Sequence, residues 1–64
     1  MPTYRFYPLD EYGAICGPYS AEVCEDDRAA LAWADELARP FGVEVWQGAR
    51  MVGRRMQAAV ADQA

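Results

Sequence analysis

The chain has no histidine and no lysine. The first absence removes the commonest general base and the commonest metal ligand, and the second removes the Schiff-base nucleophile. Cysteine is scarce: Cys16 and Cys24 are two thiols, too few for a Cys-rich zinc site. Apart from the tyrosines only Thr3 and Ser20 carry hydroxyls, and no histidine or lysine is present to activate them. No apolar run approaches the ~18 residues that would span a bilayer, and no signal-peptide pattern opens the sequence. These absences lead us to expect a non-enzymatic protein with no cofactor, no membrane insertion, a cytoplasmic location and reduced cysteines.

What is there is small. A chain of 64 residues makes one domain near the lower limit for independent folding, where only about 60% of the unfolded surface becomes buried. Leu, Ile, Val and Phe number 11, under the rough 20% below which chains tend to stay disordered. Eight aromatics and a modest net charge of −4 argue for folding, around a thin core. Domains of this size usually add a staple. If Cys16 and Cys24 share one extended strand they stand roughly 26 Å apart, beyond disulfide reach. With metal and disulfide set aside, association remains, so a protein partner or a homo-oligomer is expected.

The charge is unevenly distributed. Residues 1–32 hold six acids and two arginines, whereas residues 33–64 hold four of each. The acidic balance, with a pI near 4.5, argues against nucleic acid and anionic membranes as partners, since both need a positive field.

The periodicity then changes along the chain. TYRFYPL (3–9) alternates Tyr4 and Phe6 against Arg5 and Tyr7, a strand signal that Pro8 ends or interrupts. DEYG (10–13) is turn chemistry. AICGPYSAEV (14–23) predicts a second strand, with Ile15, Tyr19, Ala21 and Val23 on one side and a Gly17-Pro18 interruption that suits a sheet edge. Residues 24–42 shift to helical spacing. Ala30, Ala34, Leu37, Ala38 and Phe41 form an apolar stripe bordered by Leu31 and Trp33, with Arg28, Ala32, Asp35, Glu36 and Arg39 opposite. A helix over about 27–38 follows, capped by Asp26 or Asp27 and stopped by Pro40 and Gly42. GVEVWQ (42–47) and RMVGRRM (50–56) are the third and fourth strands, joined by a turn centred on either Gly48-Ala49 or Gln47-Gly48. The order is ββαββ, an α+β fold with one helix on a four-stranded antiparallel sheet. A right-handed crossover spanning strand 1 gives the strand order 2-1-3-4. Residues 1–56 make the domain, and 57–64 are a short Ala-rich tail that frays or docks.

The stretches YRFYPLDEYGAI, EDDRAAL and VEVWQGARMVGRR together resemble a family of short uncharacterised bacterial proteins. Its members pair a Tyr-rich first strand with a C-terminal E-V-W-x-G-x-R-x-V hairpin. The likeness covers residues 4–55, and the EVWQGARMVG stretch is its most specific part. It implies this fold and a bacterial cytoplasmic origin, and it carries no catalytic motif. The chain departs from it at Gly17-Pro18, where the resemblance implies a regular strand.

Several side-chain groups invite chemistry. Glu25, Asp26 and Asp27 lack the alternating ligands of a calcium loop, and helix capping accounts for them. Cys24 stands just before a helix start, which favours its thiolate slightly, but with no Cys-x-x-Cys and no nearby lysine or histidine a buried or incidental cysteine is the expected reading for both thiols. Asp10 with Glu11, and Asp35 with Glu36, are solvated neighbours rather than an acid–base pair. Trp46 is the informative residue. Val43 and Val45 match the core face under the helix, so Glu44 and Trp46 point the other way. Met51 on the next strand is expected beside Trp46, with Tyr7 as a flank, Cys16 extending the patch, and Glu44 and Arg55 as a polar rim. That set predicts a partner interface on the helix-free face, with cover by the C-terminal tail as the competing account. Arg50 and Arg54 form the alternative, an anion or small-molecule site on the last strand, while GARMVGRR lacks the ending of a phosphate loop. Their other expected role is to guard the strand edge against stray pairing.

Overall fold

The structure is a computed structural model that describes residues 1–38 and 41–56. Four strands and a helix follow one another as β1 (Thr3–Pro8), β2 (Ser20–Val23), α1 (Asp27–Leu37), β3 (Gly42–Gln47) and β4 (Arg50–Met56). The strands form one antiparallel sheet in the order β2-β1-β3-β4, as the alternation and the crossover argument lead one to expect. The expected tail, 57–64, lies outside the described residues, as do Arg39 and Pro40.

The core lies between α1 and one face of the sheet. Tyr4 and Phe6 from β1 and Val43 and Val45 from β3 are almost fully buried against Ala30, Ala34 and Ala38. Alanines on the helix let its axis approach the sheet, and the large fully buried side chains of this layer, Tyr4, Phe6 and Val45, come from the strands, with Leu31 and Leu37 of α1 partly buried beside them. Gly53 permits the same closeness on β4: a Cβ there would come within 3.0 Å of a Leu31 methyl. The helical stripe is shorter than its spacing suggests. Because α1 ends at Leu37, with Ala38 as its cap, Phe41 belongs to the chain entering β3 and is exposed; Trp33, on the border of the stripe, is exposed too.

The helix begins where its acids direct. Asp26 is the cap: its backbone is extended and its carboxylate accepts from the Ala29 amide at 2.9 Å. Asp27 then occupies the first turn, where a negative charge complements the helix dipole.

The second strand is much shorter than the sequence suggests. Asp10 folds the chain back by accepting from the amides of Tyr12 and Ala14 at 2.8 and 3.0 Å, and a single bridge joins Leu9 to Ile15. Gly17-Pro18 then breaks the ladder, and regular pairing resumes only with Phe6 opposite Ser20. Gly42 opens β3, as the strand reading of 42–47 expects, four residues beyond the Ala38 helix cap. Its φ of +152° suits glycine, and a Cβ would meet the Arg55 carbonyl oxygen at 2.6 Å.

Candidate functional site

The sheet face away from α1 is laid out by strand alternation. β1 contributes Thr3, Arg5 and Tyr7, β2 Ala21 and Val23, and β3 Glu44 and Trp46. On β4 a bulge sets the pattern. Val45 pairs with Gly53 but Trp46 pairs with Met51, so Val52 is an extra residue and turns inward to pack on the core. Met51, Arg54 and Met56 therefore face outward, while Arg50 and Arg55 face the helix side.

Trp46 and Met51 are direct cross-strand neighbours, with Gly48 and Ala49 as the two turn residues beyond them. Tyr7 lies opposite Glu44 on the other side of β3. Glu44 is 7% exposed, the one buried charged residue among those described. One carboxylate oxygen accepts the Trp46 indole N–H at 2.9 Å, and the other accepts from the Arg54 guanidinium at 2.8 Å. These bonds, the arginine's first, hold the carboxyl below its ordinary pKa against the opposing effect of burial. Glu44 is thus an anchor beneath Trp46 rather than part of a rim.

Arg5 and two tyrosines finish the face on its β2 side. The Arg5 guanidinium stands 5.4 Å from the centre of the Tyr19 ring and donates to the Tyr7 hydroxyl at 3.3 Å. The Tyr7 and Tyr19 rings lie 5.3 Å apart, tilted. Cys16 is exposed in the loop before the resumed ladder, outside the strands that build this face.

Arg55, expected at the rim of this face, lies on the other one, where it bonds Asp35 of α1 at 3.0 Å. The bulge is the reason: strict alternation from Met51 brings Arg55 outward, and the extra residue gives that place to Arg54. Arg50 and Arg54 are also separated. Arg50 forms a two-pronged pair with Asp27, 2.9 Å in each prong, on the helix side. The two guanidiniums lie on opposite faces, each already on a carboxylate, and do not converge on one anion. Each of the three arginines is paired with a carboxylate of its own chain.

Among the described residues the rest of the surface includes two shallow clefts. One of about 330 Å³ lies between β2 and the start of α1, lined by Met1, Val23, Cys24, Ala29 and Trp33 with Glu22 and Glu25 at its rim. The other, about 220 Å³, lies among Phe6, Pro8, Pro18, Leu37 and Val43. Among the described residues no three thiol or carboxylate side chains gather as metal ligands. Cys24 is half-buried, and its pKa is pushed up by that burial and by nearby Glu22 and Asp26, opposite to the effect expected from its place before the helix.

No protein-family model, no curated protein and no solved structure matches the chain. No helix among the described residues is long and apolar enough to cross a membrane. The site's own geometry is therefore what bears on function.

Proposed function

We propose that the protein is a non-catalytic binding module whose working surface is the helix-free face of its sheet, and that its partner there is protein. The observation that carries this reading is the set of apolar side chains exposed on that face around Trp46, interspersed with Arg5 and Arg54. Met51 and Met56 are 44% and 52% exposed, Val23 56% and Tyr19 50%, arranged around a half-buried Trp46. Isolated apolar residues on a surface mean little, but one face that gathers Trp, Met, Tyr and Arg has the composition of interface centres. No described element lies over it. The Trp46 indole N–H and both Glu44 carboxylate oxygens are paired within the face, and the remaining N–H groups of Arg5 and Arg54 supply donors for a partner.

Site-specific photo-crosslinking in the source cells tests the proposal. A photoreactive residue at Met51 is expected to trap a protein of defined mass, and the same residue at Ala32 on the solvent side of α1 is not. Equal trapping at both positions, or none at Met51, would overturn it.

A further inference from the structure

We infer that what this face receives is a short extended protein segment bearing an aspartate or glutamate, whose carboxylate pairs with Arg5 while an apolar neighbour covers Trp46 and Met51. The inference rests on the reading above and adds the partner's chemistry.

Arg5 carries the argument. Each arginine of β4 already holds a carboxylate of the chain: Arg50 holds Asp27, Arg54 holds Glu44 and Arg55 holds Asp35. Arg5 differs from them. Its side chain donates to the neutral Tyr7 hydroxyl at 3.3 Å, and among the described residues no carboxylate lies within ion-pair distance of it. A guanidinium has five N–H groups, so most of this fork is unused. Covering the face takes a half-buried cation out of solvent, which costs free energy unless the covering group brings a counter-charge.

The charge of the whole face agrees. Its strand residues include Arg5, Arg54 and Glu44, two positive charges against one negative, in a chain whose net charge is −4. The helix side instead presents exposed Asp35 and Glu36, with Glu25 and Asp26 at its start. An acidic residue of a partner is therefore drawn to the first face and repelled from the second. Nucleic acid fits less well, because a phosphate backbone needs a row of cations and Arg54 is already held by Glu44 at 2.8 Å.

Position places the carboxylate in mid-segment, on a side chain. Arg5 lies on an interior strand, opposite Ala21 of β2 and Trp46 of β3, and Trp46 is opposite Met51 of β4. The Tyr19 ring, 5.4 Å from the guanidinium, and the Tyr7 hydroxyl orient the fork before a partner arrives. Strands ~4.8 Å apart put Trp46 and Met51 about 5 and 10 Å from Arg5 across the sheet. Side chains on one face of an extended segment recur about every 7 Å, so a residue two positions from the acid lands between Trp46 and Met51. The face is roughly 20 Å across, the length of about six extended residues. That span suits one segment in a transient complex, whereas a standard interface between folded proteins takes about 800 Å² per partner.

To test this, a phage-displayed library of random dodecapeptides is selected on the purified full chain, and the enriched peptides are synthesised and titrated by fluorescence anisotropy. They are expected to share an aspartate or glutamate two positions from a large apolar residue. Replacing that acid by its amide, or Arg5→Gln in the protein, should weaken binding about tenfold or more, and the two changes together little further. Met51→Glu should weaken it too. Arg28→Gln removes the same charge from an exposed position of α1 and should leave the affinity unchanged. Circular dichroism checks that each variant folds, and the change on the peptide serves if Arg5→Gln does not. Binding that Met51→Glu weakens, but that neither the amide nor Arg5→Gln affects, overturns the carboxylate and leaves the binding face standing. Binding indifferent to Met51→Glu as well counts against the face itself. Failure to enrich any peptide, or tighter binding to a thymidine oligonucleotide titrated alongside, overturns the acidic segment as occupant.

Discussion

The indole N–H of Trp46 donates to a carboxylate oxygen of Glu44 two residues earlier on the same face of β3, at 2.9 Å. That bond ties the largest side chain on the helix-free face to its one buried charge, and Arg54 locks the second oxygen. Glu44→Gln keeps the shape and removes the charge. We expect a loss of about 1–2 kcal/mol, below the cost of breaking a fully buried pair because Arg54 is itself 45% exposed. Thermal unfolding checks this, and Trp46 fluorescence should change with it.

Acid should unfold the protein through its paired carboxylates. Bonds from Arg50 and then from Tyr4 lower the Asp27 pKa from its ordinary 3.8 to about 2, and Glu44 is also lowered. Between the folded and unfolded values the unfolded chain binds more protons, so the stabilisation is complete above about pH 4.5 and is lost as the pH falls toward 2. Melting temperature measured from pH 6 to pH 2 should stay level and then drop. Asp27→Asn should flatten the lower part of that drop.

The two thiols should differ in reactivity. Cys16 is exposed, while Cys24 is half-buried with its pKa raised. Maleimide labelling near pH 7, followed by mass spectrometry of the peptides, should modify Cys16 several-fold faster, because the thiolate is the reacting form. Equal rates would contradict the packing of Cys24 beside α1.

Tight backbone approach makes Gly42 the least replaceable glycine. A Cβ would lie 2.6 Å from the Arg55 carbonyl oxygen at a φ that other residues rarely adopt, whereas at Gly53 the contact is 3.0 Å to a Leu31 methyl that can rotate away. Gly42→Ala should destabilise by about 2 kcal/mol or more and Gly53→Ala by less, as read from denaturant midpoints.

Much of this architecture is legible in the sequence, for identifiable reasons. The change from period two to period 3.6 after Val23 marks α1, and Asp26 marks its start. Val43 and Val45 under the helix put Trp46 on the opposite face, and the hairpin brings Met51 to it in the expected way. What escapes the sequence depends on departures from regularity. The bulge at Val52 exchanges the faces of Arg54 and Arg55, and the signal that could reveal it is Gly53 inside a strand pattern. Asp10 and Gly17-Pro18 together shorten β2, and Phe41, beyond the helix end, lies outside the stripe in which its spacing put it. The carboxylate partners of Arg50 and Arg55 come from α1 and emerge only from the fold, while Glu44 meets Arg54 across the hairpin because of the bulge.

The central claim is that the helix-free face is the binding surface, and the two indole N–H signals report on it directly. Their relaxation by a soluble nitroxide can be measured by NMR in the chain alone and again with a selected peptide bound. The account predicts that Trp46 becomes protected on binding while Trp33 stays as accessible as before. Protection of Trp33 with Trp46 unchanged would place the binding surface on the other side of the molecule and contradict it.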